Sequence, residues 1–309
     1  MKKYCLVINP LCRSGRSKKT IDKILDSFTR HGADFTAKFS ERKLHIIDLA
    51  KNARESGFDT VVAVGGDGTI CEVVTGLFRA DSALPMPKLG IIHAGTSPDF
   101  NKHHNIPIDT EKAIDLILSE RSRPIDVVKA SFYADPARTT LSNAFFVSNT
   151  NIGIGTLIVG RTNSRYRKYL GDFLGTLTAL IVSLIGFKPQ KISFIADNAS
   201  IECGKLINLT LGKDPYIGSG MRVFNDIAPD DGKFYVMAAE KTSWREFFLN
   251  LPKIYMGNFL TYRGIKFSFA SKARVEGCAQ YPMLECDGDI KGYLPADFTV
   301  LRKALEVLM

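Results

Sequence analysis

The chain has 309 residues, 45% of them apolar and 24% charged, an ordinary balance for a globular protein with room for two domains. Lys and Arg number 41 against 32 Asp and Glu, and the formal charge of +9 suits an anionic partner or serves as a solubilising surface. Six cysteines (Cys5, Cys12, Cys71, Cys203, Cys278, Cys286) lack CxxC spacing and mostly lie in apolar stretches, so they read as reduced core residues of a cytosolic protein.

The opening apolar run is too short for a signal peptide, and residues 4–8 read as a first strand. A helix over 17–31 follows, with Gly32 just past its end, then a strand over 34–39 and a helix over 41–56 closed by Gly57. The β-branched run 60–64 reads as a buried parallel strand, and an amphipathic helix starts near Thr69 and runs to about 78. A strand over 88–93 and a helix over 110–119, capped by Asp109 or Thr110, complete the alternation. Alternating strands and helices imply a doubly wound, mostly parallel sheet, with ligands beyond the carboxyl ends of its strands.

After about residue 123 the pattern changes. Segments 126–132, 143–149, 191–197, 205–212, 233–240, 265–269, 283–286 and 298–301 read as strands, many joined by turns such as Asp197-Asn198 and Asp231-Gly232. This is a β-rich second domain with one or two helices inserted. The stretch 169–187 is long and apolar with Asp172 inside it, and Arg161, Arg165, Arg167, Lys168 and Lys188 flank it. It falls at the border of the roughly twenty residues a span needs. It reads as a core helix, or as one bordering a lipid pocket or touching a membrane surface.

The chemistry concentrates in Gly65-Gly66-Asp67-Gly68-Thr69, between a strand and a helix. Glycines let backbone approach a ligand closely, and the helix N-terminus suits phosphate. Asp67 would repel phosphate unless a divalent cation or a hydroxyl lies between them, which points to phosphoryl transfer. Two further loops leave neighbouring strand ends. His93-Ala94-Gly95-Thr96-Ser97-Pro98-Asp99 offers Thr96 to phosphate and Asp99 to a metal shared with Asp67, and the segment Asn9 to Lys18 offers Asn, Gly, Ser and three cations. Walker A, GxGxxG and protein-kinase patterns are absent from the sequence. The five histidines lack zincin spacing, His103-His104 reads as a polar loop, and Trp244 as packing a helix on the β domain.

VVAVGGDGTICEVV, the opening VINP…SGRSKK and the late LECDGDIKGYLPADFTVLRKALEVL together resemble the diacylglycerol kinase catalytic-domain family of lipid kinases, nearly end to end. The GGDGT loop is shared with NAD kinases; the late segment favours the lipid kinases. The resemblance implies an α/β nucleotide-binding domain over 1–123 and a β-sandwich-like lipid-binding domain over 124–301, with 302–309 returning to the first. It implies ATP and Mg²⁺ as cofactors. Asn9, Pro10, Ser14, Gly15, Ser40, Gly65, Gly66, Asp67, Gly68, Thr69, Glu72, Gly95, Thr96 and Asp99 would line the nucleotide, with Asp67 and Asp99 near the catalytic metal. The loop Ala228 to Lys233 resembles a structural magnesium loop, with Asp231 as side-chain ligand and the Lys233 carbonyl among its neighbours; the residues alone also fit a hairpin turn. Asp287 and Asp289, with Asp67, form the catalytic set, and either of the first two could accept the hydroxyl proton.

Three departures stand out. Pro98 replaces the family's Asn, the metal loop is shortened before Asp231, and Asp289 stands where Glu is usual. The expected activity is transfer of the ATP γ-phosphoryl group to a diacylglycerol-like hydroxyl at an anionic membrane surface. The protein would be cytoplasmic, associating peripherally with the inner face of the membrane, without nucleic acid as partner, and the oligomeric state, a homodimer included, stays open. The alternatives are an NAD kinase-like enzyme and a nucleotide- or lipid-binding protein with weakened catalysis.

Overall fold

The computed structural model describes residues 2–12, 18–81, 83–95, 98–161, 178, 182–183, 187–217, 221–223, 227–241, 243, 245–246, 249, 263–277 and 283–309. The chain divides into two compact units, Met1–Val127 with Arg302–Met309, and Val128–Leu301.

The first unit alternates β1 (Lys3–Ile8), α1 (Lys18–Arg30), β2 (Asp34–Phe39), α2 (His45–Glu55), β3 (Thr60–Gly65), α3 (Asp67–Arg79), β4 (Lys88–His93), the short α4 (Asp99–His103) and α5 (Thr110–Leu118), and then enters β5 (Ser122–Tyr133). The strands pair in parallel in the order β2-β1-β3-β4, which puts all four carboxyl ends on one edge. Alternate residues dictate the two faces. Leu6, Ile8, Val62, Val64 and Ile92 form one cluster with Ile21, Ile24 and Phe28 of α1 and Ala113, Ile114 and Ile117 of α5. Each Val, Leu, Ile or Phe side chain among them contributes about 1.5–3 kcal/mol by leaving water. Cys5, Val7, Val61 and Ala63, equally buried, point the opposite way, and α2 and α3 lie against β1 and β3. Gly76 lets those two helices close up, because a Cβ there would sit 2.3 Å from the Ile47 carbonyl oxygen.

Two helix starts differ from the sequence reading. Residues 41–44 form a turn with Leu44 left-handed at φ 62°, so α2 begins at His45. The helix after β3 begins at Asp67, not near Thr69, with Gly66 extended as its N-cap. Asp67 therefore lies in the first helical turn, where the positive end of the dipole favours a carboxylate.

The second unit is built from β6 (Leu141–Phe146), β7 (Asn149–Gly153), α6 (Ile154–Arg161), β8 (Gln190–Ala196), β9 (Ala199–Gly212), β10 (Tyr216–Ile217), β11 (Met221–Arg222), β12 (Phe234–Glu240), β13 (Ile265–Ala270), β14 (Lys272–Val275), β15 (Met283–Cys286) and most of β16 (Asp289–Leu308). Antiparallel neighbours run in the order β13-β12-β9-β7-β15-β16, with β8 joining β9 to β14 and β14 pairing β16. The expected strand over 143–149 is two strands broken at Val147-Ser148, and the expected strand over 298–301 is part of a 20-residue strand. The end of β16 belongs to the first unit, where Val307 pairs with Leu89 and the Met309 amide donates to the Arg121 carbonyl.

Most of the apolar stretch 169–187, together with Trp244, Ser14, Gly15 and Thr96, lies outside the described residues. Among the described residues no helix is long and apolar enough to cross a membrane. Cys5, Cys12, Cys71, Cys203 and Cys286 are buried free thiols, and burial pushes the Cys5 thiol up to about 11.

Candidate active site

In the first unit the loops leaving β1, β2, β3 and β4 are tied to one another by backbone hydrogen bonds. The Asn9 amide donates to the Val64 carbonyl (3.1 Å), the Ser40 amide to the Ile8 carbonyl (2.9 Å), and the Ala94 amide to the Gly65 carbonyl (2.8 Å). Side chains continue the ties, since Asn9 Nδ2 donates to Thr69 Oγ1 at 3.3 Å and Asn9 Oδ1 accepts from the Leu11 amide. Two glycines are fixed by contact. A Cβ on Gly95 would fall 2.5 Å from Gly66 Cα, and one on Gly65 would fall 2.2 Å from Thr69 Oγ1. The turns after β3 and β4 therefore touch through bare backbone. Asn9, Pro10, Ser40, Gly65, Gly66, Asp67, Gly68, Thr69, Glu72, Gly95 and Asp99 all belong to this edge or to the first two turns of the helices leaving it.

The acids differ in setting. Asp67 opens α3, and Glu72 lies one turn further along, buried. Asp99 is buried at the start of α4, 3.9 Å from Lys102 Nζ. Pro98 is the residue before that helix, and its carbonyl accepts from the Lys102 amide at 3.0 Å. A proline lacks an N–H, which a helix start does not need, so the ring's position is compatible with the short helix. His103 and His104 are not a polar loop: His103 ends α4, and the His104 ring packs at 4.2 Å from Phe100 and 4.5 Å from His103.

In the second unit Asp287 and Gly288 form the turn between β15 and β16, both at positive φ (47° and 88°), with Cys286 and Asp289 paired across it. Two left-handed central residues define a type I′ hairpin. Asp287 is held there by Asn149, whose amide donates to Asp287 Oδ1 at 2.7 Å. Asn149 Oδ1 in turn accepts from Tyr235 Oη at 2.6 Å, and Gly212 leaves room for it. Asp289 lies 3.8 Å from Lys291 Nζ and keeps 30% of its side chain exposed.

Glu285 and Asn149 are contributors that the sequence reading missed. Glu285 is 2% exposed; one oxygen accepts from Asn151 Nδ2 and the other from the Gly288 amide at 2.9 Å. Burial pushes its carboxyl up to about 7, chiefly because the charged form loses hydration. A lone acid inside Met283-Leu284-Glu285-Cys286 was its only sequence signal. Asn149 carried none, because the unbroken 143–149 reading hid the start of β7.

The loop Ala228 to Lys233 is organised around an ammonium. Lys213 Nζ donates to the Ala228 carbonyl (2.9 Å), Asp231 Oδ1 (2.8 Å) and the Lys233 carbonyl (2.7 Å). These include both oxygens expected to hold a structural magnesium. Magnesium needs oxygens at about 2.0–2.1 Å in an octahedral shell. The three oxygens converge instead on a nitrogen already at hydrogen-bond distance, so this donor set does not fit the ion while Lys213 is in place.

These features define an α/β unit with glycine, hydroxyl and carboxylate groups at its strand ends, followed by an antiparallel β unit. Residues 3–130 match the sequence family described as the diacylglycerol kinase catalytic domain, and residues 153–309 match the YegS C-terminal NAD kinase beta sandwich-like domain. The chain belongs to the diacylglycerol kinase catalytic-domain family, with the YegS-type second domain. Curated relatives include the diacylglycerol kinase of Bacillus subtilis, 26% identical over 312 residues covering 100% of this chain and 97% of that one. Another is the diacylglycerol kinase of Staphylococcus haemolyticus, 26% identical over 302 residues covering 98% and 86%. Among solved structures, a diacylglycerol kinase from Bacillus anthracis matches with TM-score 0.69 at 18% identity, covering 99% of this chain and 96% of that one. Yeast NADH kinase matches with TM-score 0.53 at 11% identity, covering 99% and 82%, a likeness of fold alone.

Proposed function

We propose that this protein is a lipid kinase that transfers the γ-phosphoryl group of ATP to the hydroxyl of a diacylglycerol-like lipid. The observation that carries the phosphotransfer reading is the contact of the Gly66 and Gly95 turns at the ends of β3 and β4, with Asp67 opening the next helix. The acceptor class follows from relatives named diacylglycerol kinase that align along essentially the whole chain.

Bare glycine backbone and the start of α3 suit phosphate oxygens. Thr69 Oγ1 accepts from Asn9, which leaves its own proton to donate to one of them. Asp67 and Asp99 fit the oxygen-only donor set magnesium takes, and the ion, when bound, supplies neutralisation of the charge on the transferring phosphoryl group. A lipid hydroxyl keeps its proton at neutral pH, so a carboxylate that accepts it lowers the barrier. Asp287 has one oxygen committed to the Asn149 amide and shapes the turn; Asp289, with 30% of its side chain exposed, is the proton acceptor. The excess of cations would favour an anionic membrane surface carrying the lipid.

The test is transfer of labelled phosphate from ATP to diacylglycerol in mixed micelles, with NAD as the competing acceptor and Asp67→Ala alongside. Transfer to the lipid that disappears in Asp67→Ala is the expected result. Transfer only to NAD, or ATP binding without transfer, would replace the proposal by one of its two rivals.

A further inference from the structure

The Lys213 ammonium is a buried cation that donates, among the described residues, to oxygens of Ala228, Asp231 and Lys233. Its side chain is 2% exposed, it follows directly on Gly212 at the end of β9, and its own amide donates to the Ser148 carbonyl at 2.8 Å. The backbone of Lys213 is thus anchored at the strand end. These three oxygens come from one loop: two carbonyls, Ala228 and Lys233, and the Asp231 carboxylate. Asp231 Oδ1 also accepts from the Lys233 amide at 3.0 Å, closing the loop on itself. A carboxylate and two main-chain carbonyls aimed at one point form a cation cage. Uncompensated, an ammonium would not be buried there.

We infer that Lys213 supplies as a tethered ammonium the positive charge that this loop would otherwise take from a divalent cation. The loop 228–233 is therefore built without structural magnesium. A lysine bonds each of these oxygens at 2.7–2.9 Å through its three hydrogens, where an ion would need a fuller shell. An ion bound by mass action is lost at low concentration, whereas a covalent side chain is present in every molecule. Magnesium dependence then belongs to the nucleotide alone. The inference concerns the second unit and stands whichever acceptor the enzyme phosphorylates.

Thermal unfolding of the full chain without nucleotide, in chelator and across millimolar MgCl₂, tests it, with Mg²⁺ itself as the probe. Wild type is expected to show no saturable rise in Tm with Mg²⁺. Lys213→Ala is expected to lose about 5 °C or more in chelator, since the exposed Asp231 carboxylate and the Ala228 and Lys233 carbonyls lose the buried ammonium that ties them together. Mg²⁺ should restore part of that loss saturably, and adding Asp231→Asn should abolish the restoration. Lys213→Met, which fills the space without charge, should be destabilised and unresponsive. A saturable Mg²⁺ response of wild type that Asp231→Asn removes would overturn the inference, as would a Lys213→Ala protein that Mg²⁺ does not restore. Should Lys213→Ala fail to fold, calorimetric titration of Mg²⁺ into wild type and Asp231→Asn still decides: equal, non-specific heats support the inference, and an Asp231-dependent binding isotherm overturns it.

Discussion

Asn149 and Asp287 exchange two hydrogen bonds across the β7–β15 edge: the Asn149 amide donates to Asp287 Oδ1 at 2.7 Å, and the Asp287 amide donates to the Asn149 carbonyl at 2.9 Å. The pairing fixes one carboxylate of the Asp287-Gly288-Asp289 hairpin and separates the tasks of its two acids. Asp287→Ala removes the acceptor from a part-buried amide and is expected to cost about 1–3 kcal/mol of stability. Asp289→Asn leaves the turn intact and is expected to lower kcat by roughly 10²–10⁴ with little change in Tm, the range for losing a general base. Urea unfolding and phosphotransfer kinetics on both variants check the division. Equal loss of kcat with no loss of stability in Asp287→Asn would assign the proton to Asp287 instead.

Glu285 predicts a pH dependence of stability. Its carboxyl is pushed up to about 7 in the fold by burial, against 4.5 in the exposed chain. Between those values the folded state holds a proton that the unfolded state has released, so stability falls as pH rises from about 4.5 to about 7 and is flat above. The span corresponds to roughly 3 kcal/mol from this group. Glu285→Gln keeps an oxygen for the Gly288 amide and cannot ionise. It should flatten that part of the stability profile, measured as urea midpoints at several pH values, and an unchanged slope would count against the buried acid as its source.

Thr69 predicts an effect on nucleotide binding with little effect on folding. Its hydroxyl accepts from Asn9 Nδ2 and lies against Gly65. Thr69→Val keeps the shape and removes the oxygen, so Asn9 loses one partner and phosphate loses one donor. The expected result is an ATP KM raised about 5- to 30-fold, from about 1–2 kcal/mol of lost hydrogen bonding, with a Tm shift of only a few degrees. Thr69→Ser should retain near-normal KM.

The strand-end edge was legible in the sequence because its signals are local. The run Thr60 to Val64 announces a buried strand, the glycines announce close backbone approach, and Asp109 announces a helix cap that the Lys112 amide indeed uses at 3.1 Å. The 20-residue β16 was harder: its pattern loses regular alternation around residues 300–304, where Lys303 takes a left-handed φ of 48° and its amide donates to buried Asp126. The short strand β14 went unread because only Ser271 separates it from β13, with no Gly, Pro or Asn to announce a turn. Partnerships across the chain were illegible in principle. Nothing near Lys213 in sequence says that its ammonium will meet Ala228, Asp231 and Lys233, and nothing near Glu285 says that Asn151 will donate to it; the first depends on a loop folding back over the end of β9, the second on strand register, which sets Glu285 opposite Asn151.

Gly95 offers the sharpest test of the phosphate edge. A methyl group at residue 95 would lie 2.5 Å from Gly66 Cα, 3.0 Å from Gly66 N and 3.3 Å from the His93 ring. The first two neighbours are backbone and cannot rotate away, so Gly95→Ala must push the β4 turn off the β3 turn. The hydrogen bond that the Ala94 amide donates to the Gly65 carbonyl, 2.8 Å long, lies at the same contact and would lengthen with it. Overpacking of this kind costs about 1–3 kcal/mol. Because the strain falls where phosphate is proposed to bind, the loss in ATP affinity should exceed that produced by a destabilising core change away from the edge. Ile24→Val in α1, whose side chain lies in the core cluster beneath the sheet, supplies that comparison. Its cost is about 0.5–1.5 kcal/mol without altering the edge. Titration of ATP and Mg²⁺ into both variants, beside their unfolding curves, separates the cases. Gly95→Ala should bind nucleotide at least about tenfold more weakly than wild type while Ile24→Val binds normally, a difference of about 1.4 kcal/mol at the edge alone.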